Sequence, residues 1–166
     1  MLIFLVGFMG TGKSHWGKIW SQANQIPFVD LDDAIETAEG KSVAAIFELN
    51  GEDYFRKLET ATLRSFAHQK NIIISCGGGT PCFNNNMQWM NENGVTVFIA
   101  TPAAIIAQRV MKEQEKRPLL KGLTPTQLLD FIEQKLLERA PFYSQAKITL
   151  IEAAITEETF LQITAA

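Results

Sequence analysis

The chain has 166 residues, 46% apolar and 20% charged, with a formal net charge of −3 and a pI near 5.4. That length suits one domain with a sizeable core, and the acidic balance argues against a general nucleic-acid or anionic-membrane binder while leaving room for a local basic pocket. Cys76 and Cys82, without a CxxC or a Cys/His cluster, indicate neither a zinc site nor a disulfide framework; two reduced thiols fit a cytoplasmic protein. No basic stretch precedes the first apolar run, so no secretory signal is expected, and no apolar run approaches the ~20 residues that span a bilayer.

The first apolar run, Leu2–Val6, has the length of a buried strand. GFMGTGKS follows at 7–14 and matches G-x-x-x-x-G-K-[ST] in full. Its glycines let backbone N–H groups turn inward as an anion nest, and the following helix adds its positive N-terminal end. Lys13 has the reach for β- and γ-phosphates, and Ser14 the hydroxyl for Mg²⁺. The flanking strand and helix make nucleoside triphosphate binding the expected function of this loop. Residues 13–23 read as that helix, with Trp16, Ile19, Trp20 and Ala23 on one stripe.

A second strand is expected over Pro27–Val29, followed by Asp30-Leu31-Asp32-Asp33. Residues i and i+2 of a strand share a side, which would turn Asp30 and Asp32 toward the loop. Asp33-Ala34-Ile35-Glu36 has the form of a capping box opening the next helix. Two carboxylates beside a triphosphate repel it unless they have work: one can hold a Mg²⁺ shell while the other takes a proton from an acceptor hydroxyl. Solvated turn acids are the plainer reading.

A helix is expected over 52–67, carrying Phe55, Leu58, Leu63 and Phe66. Arg56 and Glu59 on one face make either a surface ion pair or a fork for a substrate carboxylate braced by Glu59. Strand Ile72–Ser75 runs into Cys76-Gly77-Gly78-Gly79-Thr80. Three consecutive glycines suit a flexible turn or a ligand pressed against the backbone; their place at a strand's carboxyl end favours the second. Strand Val95–Ile99, helices 102–112 and 125–139, and strand Ile148–Ile151 complete the pattern. Residues 112–122, KEQEKRPLLKG, form either a solvated loop or a mobile lid carrying Arg117. Apolar strands alternating with helices imply an α/β fold, with a parallel sheet covered on both faces.

Taken together, GFMGTGKS, VDLDDAIE, GEDYFRKLE, CGGGT, RPLL and ERAPFY resemble the shikimate kinase family, in that family's order and with similar spacing, from Phe4 to about Tyr143. The resemblance implies a P-loop kinase fold with a five-stranded parallel sheet flanked by helices, a single domain over 1–166 and a mobile lid over about 112–122. It implies ATP-dependent phosphorylation of the shikimate 3-hydroxyl in chorismate and aromatic amino-acid biosynthesis. By the same resemblance the ATP site comprises Gly10, Thr11, Gly12, Lys13, Ser14 and His15, with Arg117 near the transferring phosphate and Arg109 on the adenine. Ser14 and Asp30 would hold Mg²⁺. Asp32, Arg56, Gly78, Gly79 and Arg139 would bind the acceptor, with Lys13, Asp32 and Arg117 catalytic. The expected partners are shikimate and ATP, acting on a cytoplasmic monomer with no nucleic acid or membrane. The sequence departs from the family at His15, read as a helix-surface residue, and at Pro81, which stiffens its turn. It departs again in 152–166, which lacks an arginine or asparagine for the adenine.

Overall fold

The computed structural model describes residues 1–114 and 120–165. Five strands, β1 (Leu2–Val6), β2 (Phe28–Asp30), β3 (Ile72–Ser75), β4 (Val95–Ala100) and β5 (Ile148–Ile151), form one sheet. Its order is β2-β3-β1-β4-β5, and every pairing is parallel. Central β1 is buried at all five positions, as its unbroken apolar run requires. Its side chains alternate: Leu2, Phe4 and Val6 join one core cluster, and Ile3 and Leu5 join the cluster on the opposite face.

Among the described residues eight α-helices flank the sheet: α1 (Lys13–Asn24), α2 (Leu31–Glu39), α3 (Val43–Asn50), α4 (Glu52–Ser65), α5 (Asn86–Asn93), α6 (Ala103–Met111), α7 (Pro125–Tyr143) and α8 (Thr159–Thr164). A third apolar cluster, which includes Phe8, Ile106, Val110, Leu128 and Ile132, seats α6 and α7 against the loop after β1. Helix α7 opens on a reciprocal Thr124/Gln127 capping box with Pro125 in its first turn, which fixes its starting point.

The structure corrects the sequence reading at several points. Strand β2 lies one residue later than expected, and helices α3, α5 and α8 are additional to the elements expected from the sequence. Ala23 is exposed; the buried members of α1 are Lys13, Gly17 and Trp20. A Cβ at Gly17 would come within 2.5 Å of the Phe28 ring, so its absence lets α1 lie close to the sheet. Asp30 caps α2, not Asp33: its carboxylate accepts from the Asp32 and Asp33 backbone N–H groups. The strand ends at Asp30, so Asp32 belongs to the first turn of α2 and the strand-alternation argument does not apply to it.

Candidate active site

The loop of residues 7–14 turns through Gly10 (φ 74°) and Gly12 (φ 91°), left-handed conformations that glycine adopts without a side-chain clash. Thr11 is buried and its hydroxyl donates to the Phe8 carbonyl at 2.9 Å. The Lys13 ammonium donates to the carbonyls of Gly7 (2.9 Å) and Phe8 (2.8 Å), which holds it over the loop. Ser14 donates to Asp30 Oδ2 at 2.6 Å and lies 3.0 Å from the Ser75 hydroxyl at the end of β3. His15 is exposed at the helix surface, as expected.

Two cavities meet at this loop. The smaller, about 290 Å³, is lined by Lys13, Ser14, Asp30, Asp32, Gly77 and Gly78 among others. Both aspartates therefore reach it, although by a different local geometry from that expected. Burial is the main force on the Asp32 carboxyl, with Asp30 and Glu59 adding negative charge and Lys13 opposing them; its pKa rises from 3.8 to about 6. A carboxylate so placed changes protonation just below neutral pH and suits proton transfer.

Arg56 is no surface pair-former. Its Nη1 donates to Glu59 Oε1 at 2.9 Å, and the Glu59 side chain is 1% exposed. Its Nε reaches Glu52 at 3.3 Å, and its guanidinium lies 4.1 Å from the Phe83 ring centre. The other Glu59 oxygen, Oε2, accepts from the Thr80 hydroxyl at 2.7 Å. Arg139 projects from α7 over the Phe8 ring at 5.2 Å. The run Gly77-Gly78-Gly79 explains how these groups fit. A Cβ at Gly79 would stand 2.5 Å from Arg56 Nη2, and a Cβ at Gly78 would stand 2.9 Å from Arg139 Nη1. What presses against the glycine turn is a pair of guanidinium groups. Tyr143 ties the same turn to α7 by donating to the Gly78 carbonyl at 2.6 Å. Pro81 sits in the first turn of a short 3-10 segment, Thr80–Cys82.

The larger cavity, about 490 Å³, extends outward from Gly10 and Gly12 between Arg109, Val110 and Glu152. Arg117 falls outside the described residues, as do Glu115, Lys116, Pro118 and Leu119 of the 112–122 segment. The sequence pattern assigns no role to Thr80, Ser75 or Glu152. Thr80 lay in plain view after the glycines, but its partner is 21 residues away.

The family model described as shikimate kinase matches residues 9–166. The chain belongs to the shikimate kinase family. A shikimate kinase from Bacteroides thetaiotaomicron is 43% identical over 145 residues, 87% of this chain and 83% of that protein. One from Aquifex aeolicus is 39% identical over 163 residues, 98% of this chain and 94% of that protein. Among solved structures, shikimate kinase from Acinetobacter baumannii in complex with shikimate superposes with a TM-score of 0.87 at 31% identity, covering 99% of this chain and 92% of that one. A gluconokinase from Sinorhizobium meliloti matches at 18% identity and a TM-score of 0.56, covering 96% of this chain and 86% of that one, a likeness of fold alone. The all-parallel P-loop kinase fold expected from the family is the fold observed.

Proposed function

We propose that this protein is an ATP-dependent shikimate kinase, transferring the γ-phosphoryl group of ATP to the shikimate 3-hydroxyl to give shikimate 3-phosphate and ADP in the chorismate and aromatic amino-acid pathway. The observation that carries the reading is the pair Arg56 and Arg139, held against Gly79 and Gly78 on the turn that lines the cavity containing Asp32. A small polyol with one carboxylate needs planar cationic forks and a hydroxyl acceptor, and those are the groups assembled there.

In this reading Gly10, Thr11, Gly12 and Lys13 cradle the ATP phosphates, with His15 at the edge of the site and Arg109 against the adenine. Arg56 and Arg139 grip the shikimate carboxylate, and Gly78 and Gly79 bring the acceptor ring close to the backbone. Asp32 orients the 3-hydroxyl and accepts its proton as the oxygen–phosphorus bond forms and the bond to the ADP oxygen breaks. Lys13 offsets charge on the transferring group, the role that the family resemblance also gives to Arg117.

Ser14 and Asp30 offer two hard oxygens 2.6 Å apart beside the phosphate loop, a donor set that suits Mg²⁺ completed by phosphate oxygens. Among the described residues no cluster of three or more His, Cys, Asp or Glu could hold an ion by itself. Bound there, Mg²⁺ would neutralise phosphate charge. In this reading the chain acts in the cytoplasm as a single-domain monomer on small molecules, with neither nucleic acid nor membrane as a partner. Among the described residues no helix is long and apolar enough to cross a membrane.

The test is ADP release by the purified protein with MgATP, with and without shikimate. Release that depends on shikimate is expected. Bound nucleotide without such stimulation would refute the acceptor assignment and make gluconate the next compound to try.

A further inference from the structure

The larger cavity is bounded by an ion pair whose acidic member, Glu152, has no part in the proposed chemistry. Arg109, on α6, donates from Nη1 to the Gly10 carbonyl at 3.0 Å. Its Nη2 donates to both oxygens of Glu152, each at 3.1 Å. Glu152 follows directly on β5, 43 residues further along the chain. The Arg109 side chain is 41% exposed and that of Glu152 is 18% exposed. The pair thus ties three parts of the fold together at the cavity mouth: the phosphate loop, the end of α6 and the segment after β5.

Two anchored nitrogens fix the plane of a guanidinium. A half-exposed arginine without anchors samples many rotamers and must be ordered when a ligand arrives. Here that ordering precedes binding, which leaves a flat delocalised cation beside about 490 Å³ of space continuous with the phosphate loop. Glu152 also lies close to the loop itself: its Oε1 is 3.7 Å from where a Cβ on Gly12 would stand, with the Trp16 indole on the same residue at 3.4 Å.

We propose that Glu152 is a positioning residue for the phosphoryl donor: it holds the Arg109 guanidinium in the plane that receives the nucleotide base, so its loss weakens nucleotide binding. This rests on the larger cavity being the nucleoside end of the ATP site. The direction of the effect is what discriminates. By Coulomb's law alone, removing a carboxylate beside a polyanionic nucleotide should tighten binding; acting through Arg109, the same removal loosens it.

The experiment titrates MgADP into wild-type protein and into Glu152→Ala, Glu152→Gln and Arg109→Ala, reading tryptophan fluorescence, for which Trp16 beneath Gly12 is the probe, and calorimetry. Steady-state kinetics follow with ATP and shikimate varied in turn. Glu152→Ala should raise the MgADP Kd and the ATP KM about fivefold, the size expected when one long side chain has to be ordered at the binding step. The shikimate KM and the melting temperature should stay near their wild-type values, which a merely structural role would not allow. Glu152→Gln, which keeps one acceptor oxygen, should fall between. Combining Glu152→Ala with Arg109→Ala should be no weaker than Arg109→Ala alone. Equal or tighter nucleotide binding by Glu152→Ala, or fully additive losses in the double variant, would overturn the proposal while leaving the donor site in place. Failure of the wild-type protein to bind MgADP would remove the donor-site reading and this proposal with it.

Discussion

Gly79→Ala isolates the arginine–glycine contact from everything else in the site. The backbone at Gly79 has φ −91° and ψ −10°, a conformation open to alanine, so the substitution brings no backbone strain. The added Cβ would lie 2.5 Å from Arg56 Nη2, 2.9 Å from Nη1 and 3.0 Å from Cζ, whereas ordinary contact begins at 3.4 Å. The guanidinium has to withdraw by roughly an ångström, and its 2.9 Å bond to Glu59 then passes out of hydrogen-bond range. Losing a charged hydrogen bond costs about 1.5–3 kcal/mol, and the lower unfolded-state entropy of alanine returns about 0.4–1 kcal/mol of stability. The net destabilisation is about 1–2 kcal/mol, and Tm falls by roughly 2–8 °C for a chain of this size. The larger effect is on the acceptor. A displaced fork should raise the shikimate KM roughly ten- to a hundredfold, at 1.4 kcal/mol per decade, with the ATP KM near its wild-type value. The assay is coupled ADP release with shikimate varied at saturating MgATP. A shikimate KM within about twofold of wild type, in a folded variant, would refute the claim that the glycine turn sets the position of Arg56.

Thr80→Val keeps volume while removing the hydroxyl that holds Glu59 Oε2 at 2.7 Å. The buried carboxylate loses a partner, so Tm should fall by an amount equivalent to about 1–3 kcal/mol and the shikimate KM should rise, with Thr80→Ser restoring both; an unchanged KM would exclude a link from Thr80 through Glu59 to Arg56. Asp32→Asn should abolish turnover while MgADP binding persists, and retained turnover would remove Asp32 as an essential group. The same variant tests the electrostatics of the nucleotide-free protein in EDTA. Because the folded-state pKa, about 6, exceeds the ordinary 3.8, the folded protein holds the extra proton between those values, and stability falls as pH rises through that window. At 1.36 kcal/mol per pH unit, ionised Asp32 costs at most about 3 kcal/mol above pH 6, and less with the solvent that reaches a half-buried side chain. Asp32→Asn should therefore melt higher than wild type at pH 7.5 and lose that advantage below pH 4; a lower or equal melting temperature at pH 7.5 would contradict it.

Local signals in the sequence account for most of the frame. The phosphate loop declares itself because strand, glycines, lysine and hydroxyl are contiguous, and the apolar runs of β1 and β3 admit little but a covered parallel sheet. The misses have physical causes. Helix α5, NMQWMNEN, has little helical propensity of its own, and its Met87 and Met90 are buried against the core, so tertiary packing makes it. Helix α3 is nearly all apolar and shows no periodicity, although Ser42 caps it and could have marked its start. In the site, Asp32, Arg56 and Arg139 were legible by type and motif. The surroundings were not: the burial of Glu59, the hydroxyl of Thr80 that holds it and the Glu152 partner of Arg109 all depend on contacts between distant segments. Asp30 and Asp33 exchanged the capping role because one residue's difference in where β2 ends decides which carboxylate meets the free N–H groups of α2.

The seats of Arg56 and Arg139 on the glycine turn have a metrological consequence. The two guanidinium groups come from helices in different parts of the fold, so in principle their separation could drift whenever α4 or α7 settles differently. Each is stopped by a neighbouring residue of one chain, and consecutive Cα atoms stand 3.8 Å apart whatever the helices do. Two groups delivered by separate helices thus share one reference, a pair of covalently bonded residues, and each helix is registered against the same short turn.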